Sequence, residues 1–394
     1  MNNFDNFTNP IALFAGGGVG DSQTNVSVYL VSGIALQGYS VDLVTLSSTK
    51  SALLDFYREV AGFERVNVYP LQVSNARKSL PPLIKYYKQR QPQVIFSQLT
   101  YFNALAVVAK ILARAKTANI LLEGTLLSKM IQSDSQFSRK LMLVPFLAKL
   151  TYPFAQGFIA KSKDILLDTR QVVGKRFESL STTVLPNPYP FERFTTLAQE
   201  TVDHSWFRDR ELPIIISSGR LCEQKGFDTL LQAFAEVYQK IPCRLVILGE
   251  GPERQQLEAQ IEKLELTEAV WMPGRVSNPW KYVANSSIFV LASRWEGWPS
   301  ALMEAMACKI PVITTDCPGD GKKMVNDRQS GLIIPTDNVI ALQNALLKLL
   351  QEPTYREKLG QKAQESVSRY DYRVITTEYL DFACSIVENQ VIKS

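Results

Sequence analysis

The stretch Ser293-Arg294-Trp295-Glu296-Gly297-Trp298-Pro299-Ser300-Ala301-Leu302-Met303-Glu304-Ala305-Met306-Ala307 lies between two apolar runs, Ile288-Phe289-Val290-Leu291 and Ile310 to Thr314. The apolar runs read as strands, and the segment from Ser300 to Ala307 reads as a helix. A strand, a polar turn and a helix start make a ligand site in an open α/β sheet, because ligands bind outside the carboxyl ends of strands. The helix N-terminus offers free N–H groups and a partial positive charge, which suits a diphosphate. Pro299 is expected in the first helical turn, where no N–H is needed. Two carboxylates, Glu296 and Glu304, stand eight residues apart. At about 100° per residue, a continuous helix would bring the second back to within roughly a quarter turn of the first, about 12 Å further along. Glu296 is therefore expected at the mouth of the site, and Glu304 two turns in on nearly the same side. Taken alone, two acids at this spacing also read as a solvated helix face.

The same alternation extends in both directions. Ile11 to Ala15 reads as a strand, followed by Gly16-Gly17-Gly18-Val19-Gly20, a helix from about Ser22 to Gln37, and a second strand from Val41 to Leu46. This is a βαβ unit with a glycine-rich first turn. Further strands are expected at Val94 to Ser97, Asn119 to Leu122 and Gly157 to Ala160. Asn187-Pro188-Tyr189-Pro190 breaks the pattern, because proline removes a donor and fixes the backbone. A second series begins at Pro213 to Ser218 and continues through Arg244 to Gly249, Ala269 to Met272, and the two strands around the opening stretch. The expected class is α/β, with two doubly wound parallel sheets. The expected division is 1–187, 188–371, and a terminal helix within 372–394.

The chain has 394 residues, 46% hydrophobic and 21% charged, as befits a globular protein with room for two cores. Its five cysteines are scattered, with no Cys-x-x-Cys pair, which favours a reducing, cytoplasmic compartment over a disulfide framework or zinc site. The N-terminus reads as neither a signal peptide nor a membrane span. Residues 1–187 carry 20 Lys and Arg against 11 Asp and Glu, whereas the remainder carries 23 against 27. The halves are thus expected to meet different partners. No nucleic-acid partner, metal or cofactor is expected.

Other segments carry candidate chemistry. Gly219-Arg220-Leu221-Cys222-Glu223-Gln224-Lys225-Gly226-Phe227-Asp228 follows the first strand of the second series. A guanidinium and an ammonium converging on a tight loop can hold a diphosphate, the first by bidentate hydrogen bonds and the second as a point charge. Leu248-Gly249-Glu250-Gly251-Pro252 and Gly274-Arg275-Val276 are further turns after strands. Glu123-Gly124-Thr125 puts an acid at a strand end, where it can act in a site or simply cap its turn. The segment from Arg139 to Phe154 is apolar with basic and aromatic edges. It reads either as a buried helix or as one resting on an anionic membrane.

On these motifs the chain resembles the retaining glycosyltransferases with two facing Rossmann-like domains, the GT-B architecture, and among them family 4. Glu296 to Glu304 resembles that family's E-x7-E signature. Gly-Arg-Leu followed by Gln-Lys-Gly-Phe-Asp matches its phosphate loop almost letter for letter. The resemblance implies sugar transfer from a nucleotide diphosphate sugar, most commonly a UDP-sugar, to a glycan or lipid-linked acceptor in envelope or exopolysaccharide synthesis, at or near the cytoplasmic membrane. It implies that Arg220 and Lys225 grip the phosphates, Glu296 lies near the transferred sugar, and Glu304 binds the ribose. Gly17, Gly18, Gly219, Gly249, Arg275, Val276, Gly297, Trp298, Pro299 and Ser300 would complete the donor site. It also implies a final helix crossing back onto the first domain, and metal-independent, front-face chemistry in the cleft.

The chain departs from the family pattern in places. Pro299 lacks an N–H that many relatives offer. Gln23-Thr24-Asn25 stands where many have Ala-Glu-Arg, and Lys322-Lys323 stands where a glutamate is frequent. The only histidine, His204, lies in the linker region and reads as a solvated residue, so Glu123 is the candidate for the family's usual histidine. Two other readings compete. A catalytically silent nucleotide-sugar-binding or partner subunit would tolerate the departures. A dinucleotide-dependent oxidoreductase would use the Gly16 loop but leave both second-domain motifs unexplained.

Overall fold

The computed structural model describes residues 7–16, 18–128, 144–209, 211–319 and 321–393. They form two compact units, Met1–Pro190 with Tyr370–Ser394, and Phe191–Arg369. Gly17, and residues 139–143 of the segment that runs from Arg139 to Phe154, lie outside the described residues.

The first unit is built on seven parallel strands: β1 (Ile11–Phe14), β2 (Val41–Thr45), β3 (Asn67–Pro70), β4 (Val94–Gln98), β5 (Ala118–Glu123), β6 (Gly157–Ala160) and β7 (Ser181–Val184). Their order is β3-β2-β1-β4-β5-β6-β7, so the winding reverses between β1 and β4. The central strands are buried end to end because helices cover both faces. Helix Ser22–Leu36 is apolar on nearly every side, since it is sandwiched between the sheet and the terminal helix Tyr372–Lys393. Tyr372, Ile375, Tyr379, Ala383 and Ile386 give that terminal helix an inward stripe at helical spacing. Gly33 permits the close crossing: a Cβ there would lie 2.5 Å from the Thr376 side chain and 2.7 Å from the Tyr372 carbonyl. The terminal helix therefore belongs to the first unit, as the resemblance implied.

The second unit has six parallel strands: β8 (Ile214–Ser218), β9 (Arg244–Leu248), β10 (Val270–Gly274), β11 (Ile288–Leu291), β12 (Val312–Thr315) and β13 (Leu332–Ile334). Their order, β10-β9-β8-β11-β12-β13, reverses between β8 and β11. Loops leaving the carboxyl ends of β8 and β11 are thus neighbours at the switch point, where an open sheet leaves a crevice.

Candidate functional site

The loops after β8 and β11 are stitched together by backbone and side chains alike. Arg294 N–H donates to the Gln224 carbonyl at 2.8 Å, and Gln224 Nε2 donates to the Trp295 carbonyl at 2.8 Å. The Arg294 guanidinium reaches the Glu223 carbonyl at 2.7 Å, Asp228 at 2.8 Å and Asp337 at 2.8 Å. Asp228 is held below the usual carboxylate range, because the hydrogen bond and charge of Arg294 outweigh its burial. Gly226, at φ +60°, lets the short turn Glu223–Lys225 press onto β11: a Cβ there would lie 2.2 Å from the Ala292 carbonyl oxygen.

This frame brings Lys225 and Glu296 together. Lys225 Nζ donates to Glu296 Oε1 at 2.6 Å, and Ser293 Oγ donates to the same oxygen at 2.6 Å. Both charged side chains are largely shielded, with 17% of Lys225 and 6% of Glu296 exposed. Ser293 is fixed in turn by Thr315 Oγ1, which donates to its carbonyl at 2.6 Å. Behind Glu296, its N–H donates to the Pro318 carbonyl at 2.9 Å. Gly319 packs so tightly there that a Cβ would lie 1.7 Å from the Glu296 carbonyl oxygen.

Glycines shape the rest of this rim. Gly219 leaves β8 with its N–H bonded to the Leu248 carbonyl at 3.0 Å, and its backbone runs beside the Lys225 stem. Gly249, at φ +136°, lies against Gly219 so closely that a Cβ would meet the Gly219 oxygen at 1.9 Å. Its N–H donates to the Gly274 carbonyl at 2.9 Å, which places Arg275 and Val276 on the adjoining loop after β10. Arg220 is exposed beyond Gly219.

The helix expected after Trp298 spans Ser300–Ala307, and Pro299 is its N-cap rather than a residue of the first turn. This corrects the spacing argument. Residues 293–299 are loop, so only the last part of the Glu296 to Glu304 interval is helical, and Glu304 sits little more than one turn in. Gly297, Trp298 and Ser300 are half-buried along that turn. Glu304 has a carboxyl pushed up to about 7 by burial. The indole N–H of Trp280, which makes no hydrogen bond by geometry, stands near enough to oppose part of that shift.

A stability prediction follows from the sign of that shift. The folded value lies above the usual 4.5, so Glu304 favours the fold fully below 4.5, and that contribution is lost as pH rises through about 7. Glu304→Gln is therefore expected to raise the unfolding free energy of the unliganded chain at pH 8 by about 1–3 kcal/mol. The gain should fade as the pH approaches 4.5, the ordinary glutamate value. Denaturant titrations at several pH values check it, and a gain independent of pH would contradict the buried-acid account.

In the first unit Glu123 ends β5 fully buried. Its Oε2 accepts from Thr100 Oγ1 and from Tyr152 OH, both at 2.8 Å, and its Oε1 accepts from the N–H groups of Gly124 at 3.2 Å and Thr125 at 3.3 Å. Burial raises its pKa, and these donors restrain the rise. The carboxylate thus caps its own turn and ties β5 to helix Thr100–Ala113 before it and to the turn at Tyr152 after it. The Gly18 N–H donates to Asp21 Oδ2 at 2.8 Å, so the glycine loop after β1 is closed by the acid at its end. His204, expected to be solvated, stacks on Trp271 with ring centroids 3.9 Å apart and accepts from the Trp206 N–H at 3.3 Å. Aromatic neighbours far along the chain produce that correction. Lys322 Nζ donates to the Asp316 carbonyl at 3.2 Å, as a helix-start lysine does.

Two parallel doubly wound units, the second with a basic loop and a shielded Lys–Glu pair at its switch point, define the GT-B class. Residues 199–366 match the model of the family glycosyl transferases group 1. An uncharacterized glycosyltransferase of Methanocaldococcus jannaschii is 34% identical over 43% of this chain, a match that spans only 42% of that protein. A Campylobacter jejuni N-acetylgalactosamine-N,N'-diacetylbacillosaminyl-diphospho-undecaprenol 4-alpha-N-acetylgalactosaminyltransferase is 28% identical, over 76% of this chain and 79% of its own length. Among solved structures, sucrose-phosphate synthase from Thermosynechococcus elongatus superposes with a TM-score of 0.76 at 19% identity, over 97% of this chain and 100% of its own. Anabaena HepE in complex with UDP-glucose gives 0.74 at 18%, over 95% and 99%. These two structures share the fold.

Proposed function

We propose that the chain is a retaining glycosyltransferase that moves a sugar from a nucleotide diphosphate sugar, a UDP-sugar first, to a hydroxyl of a lipid-linked or polysaccharide acceptor. The observation that carries this reading is the Lys225–Glu296 pair at the switch point of the second sheet. An ammonium has three donors and Glu296 uses one, so Lys225 can turn the others to a diphosphate. Arg220 and the N-terminus of helix Ser300–Ala307 add positive potential on the same rim. The leaving diphosphate is then stabilised by fixed donors, without calling on a metal. On the retaining route, the bond from the anomeric carbon to the phosphate oxygen breaks while the acceptor oxygen bonds on the same face. The acceptor proton passes to the departing phosphate.

Glu304 as a carboxylate accepts ribose hydroxyls, and donor affinity should therefore fall as pH drops through about 7. The Campylobacter relative is named for an undecaprenol-diphosphate-linked acceptor and HepE was solved with UDP-glucose, which supports an acceptor and a donor of these classes here. The first unit would hold the acceptor. Among the described residues no helix is long and apolar enough to cross a membrane, so a lipid acceptor would be met from the surface.

The test is release of nucleotide diphosphate from UDP-, GDP- and ADP-sugars in the presence of cell-envelope glycolipids. Release from one donor, with retained anomeric configuration by NMR, is expected. Tight nucleotide-sugar binding without release from any donor would replace this reading with that of a binding subunit.

A further inference from the structure

The exposed large apolar side chains are not scattered over the surface. Six of ten such residues among those described lie on three helices of the first unit, the middle one packed on both others, and on the turn that follows it. Ile111 and Leu112 stand near the end of helix Thr100–Ala113, Phe146 and Leu150 on helix Val144–Thr151, and Leu167 on helix Lys163–Val173. Phe154 lies in the turn that follows the second of these. Each is more than half exposed, from 51% at Ile111 to 59% at Leu167.

Cations are interleaved with them. Lys149 separates Phe146 from Leu150, Lys163 and Arg170 flank Leu167 at helical spacing, and Arg114 and Lys116 follow Leu112. All five are exposed. The two acids on helix Lys163–Val173, Asp164 and Asp168, are half-buried, and Asp168 accepts from the Ser128 N–H at 3.1 Å. Apolar side chains left in water between long cations form the pattern of an interfacial surface, where stems lie along the acyl boundary and charges reach lipid phosphates.

The face adjoins a cavity of about 1070 Å³ at the amino ends of β4 and β5. Lys88, Lys110, Arg114 and Lys116 line it, and among the described residues no carboxylate side chain does. Lys110 reaches only an amide, Gln156 Oε1 at 2.5 Å, and Gln156 Nε2 donates at 3.1 Å to the carbonyl of Phe154. That chain of contacts joins the cavity to the apolar face. Burial opposite an amide pushes Lys110 down to about 8, which an anion in the cavity would reverse. A lysine in a helix's last turn complements the helix dipole, and this accounts for Lys88 and Lys110 one at a time. It does not account for Arg114 and Lys116, which lie past the helix end and converge on the same cavity.

We propose that the first unit docks through this face on an anionic phospholipid bilayer, with the apolar side chains entering the acyl boundary and the basic cavity receiving a lipid phosphate. The inference deepens the lipid-linked acceptor reading and rests on it for its purpose.

The test is flotation of the full chain with phosphatidylcholine vesicles and with vesicles that also contain phosphatidylglycerol. Two surface variants, Arg114→Glu/Lys116→Glu/Lys149→Glu and Leu112→Ser/Leu150→Ser/Phe154→Ser, are compared with wild type. All six positions are exposed, so unchanged melting temperatures are expected. Wild type should float with the anionic vesicles and not with phosphatidylcholine alone. At about 1 kcal/mol per basic residue near the surface, the charge variant should bind roughly 100-fold more weakly. The apolar variant should also lose binding. Equal flotation with both lipids, or retained flotation of both variants, would overturn the proposal. So would binding of inorganic pyrophosphate with no vesicle binding, or a concentration-dependent dimer that buries the face. Nucleotide diphosphate release separates this idea from the enzymatic one. If wild type floats but never turns over a donor, the surface stands and the proposed function fails.

Discussion

Lys225→Ala and Glu296→Gln should each lower release of nucleotide diphosphate from the preferred donor by about 100- to 1,000-fold, the scale seen when one preorganised donor to a developing anion is removed. The two side chains act as a unit. Lys225 Nζ sits 2.6 Å from Glu296 Oε1 in a site where little of either side chain meets water. Fixing an ammonium where phosphate charge will develop costs desolvation, and Glu296 offsets that cost in the unliganded chain. Removing Lys225 leaves a shielded carboxylate with Ser293 as its remaining side-chain donor, so Lys225→Ala should also destabilise the second unit by about 3 kcal/mol. Glu296→Gln keeps an oxygen to accept from Ser293 and Lys225, and is expected to be milder in stability though not in turnover. The double variant should lose little more activity than either single one, because both remove the same arrangement. Full multiplicative loss in the double variant, or near-wild-type release from Lys225→Ala, would refute the coupling.

Much of this arrangement was legible in the sequence, and the reasons are local. β8, β9, β11 and β12 are buried along most or all of their length, so each prints a short apolar run, and each is followed by a glycine or a charge within a few residues. Edge strands print nothing so clear. β3 reads Asn-Val-Tyr-Pro and β7 reads Ser-Thr-Thr-Val, both half exposed, so neither shows an apolar run. β13 is three residues long and is a strand only because it pairs with β12. The sequence also placed Lys225 and Glu296 in neighbouring loops by resemblance. Their direct pairing depends on β8 lying beside β11, a contact between strands more than seventy residues apart. Glu304 departs from the spacing argument because Pro299 caps the helix, so the turn before it is not helical. The stacking of His204 on Trp271 depends on a tertiary contact that no local pattern encodes.

Asp42→Ala should destabilise the first unit by about 3–5 kcal/mol, the cost of stripping the acid from a buried ion pair. Asp42 stands in the middle of an apolar strand, Val-Asp-Leu-Val-Thr, and its side chain is 0% exposed. An isolated carboxylate there would be expelled or neutralised. Instead Arg90 grips it with two bonds, Nε to Oδ2 and a terminal nitrogen to Oδ1, both at 2.9 Å. Tyr86 OH donates to Oδ2 at 2.9 Å, and Asn67 Nδ2 donates to Oδ1 at 2.9 Å. One acid thereby fastens helix Leu80–Arg90 to β2 and pins the edge strand β3, whose sequence alone would not hold it in register. Alanine leaves the buried Tyr86 hydroxyl without its acceptor, and a buried donor that loses its partner costs about 1–3 kcal/mol, whereas exposed Asn67 can turn to water. Arg90 is 39% exposed and can turn to water, which limits its share. Asp42→Asn keeps one acceptor oxygen and should cost roughly half as much. At about 2–4 °C per kcal/mol for a unit of this size, the melting transition of Asp42→Ala should fall by roughly 10 °C. Nucleotide-sugar affinity, read by calorimetry below that transition, should not change, because the proposed donor groups belong to the second unit. A matching loss of donor affinity at unchanged stability would mean that Asp42 serves the site rather than the sheet.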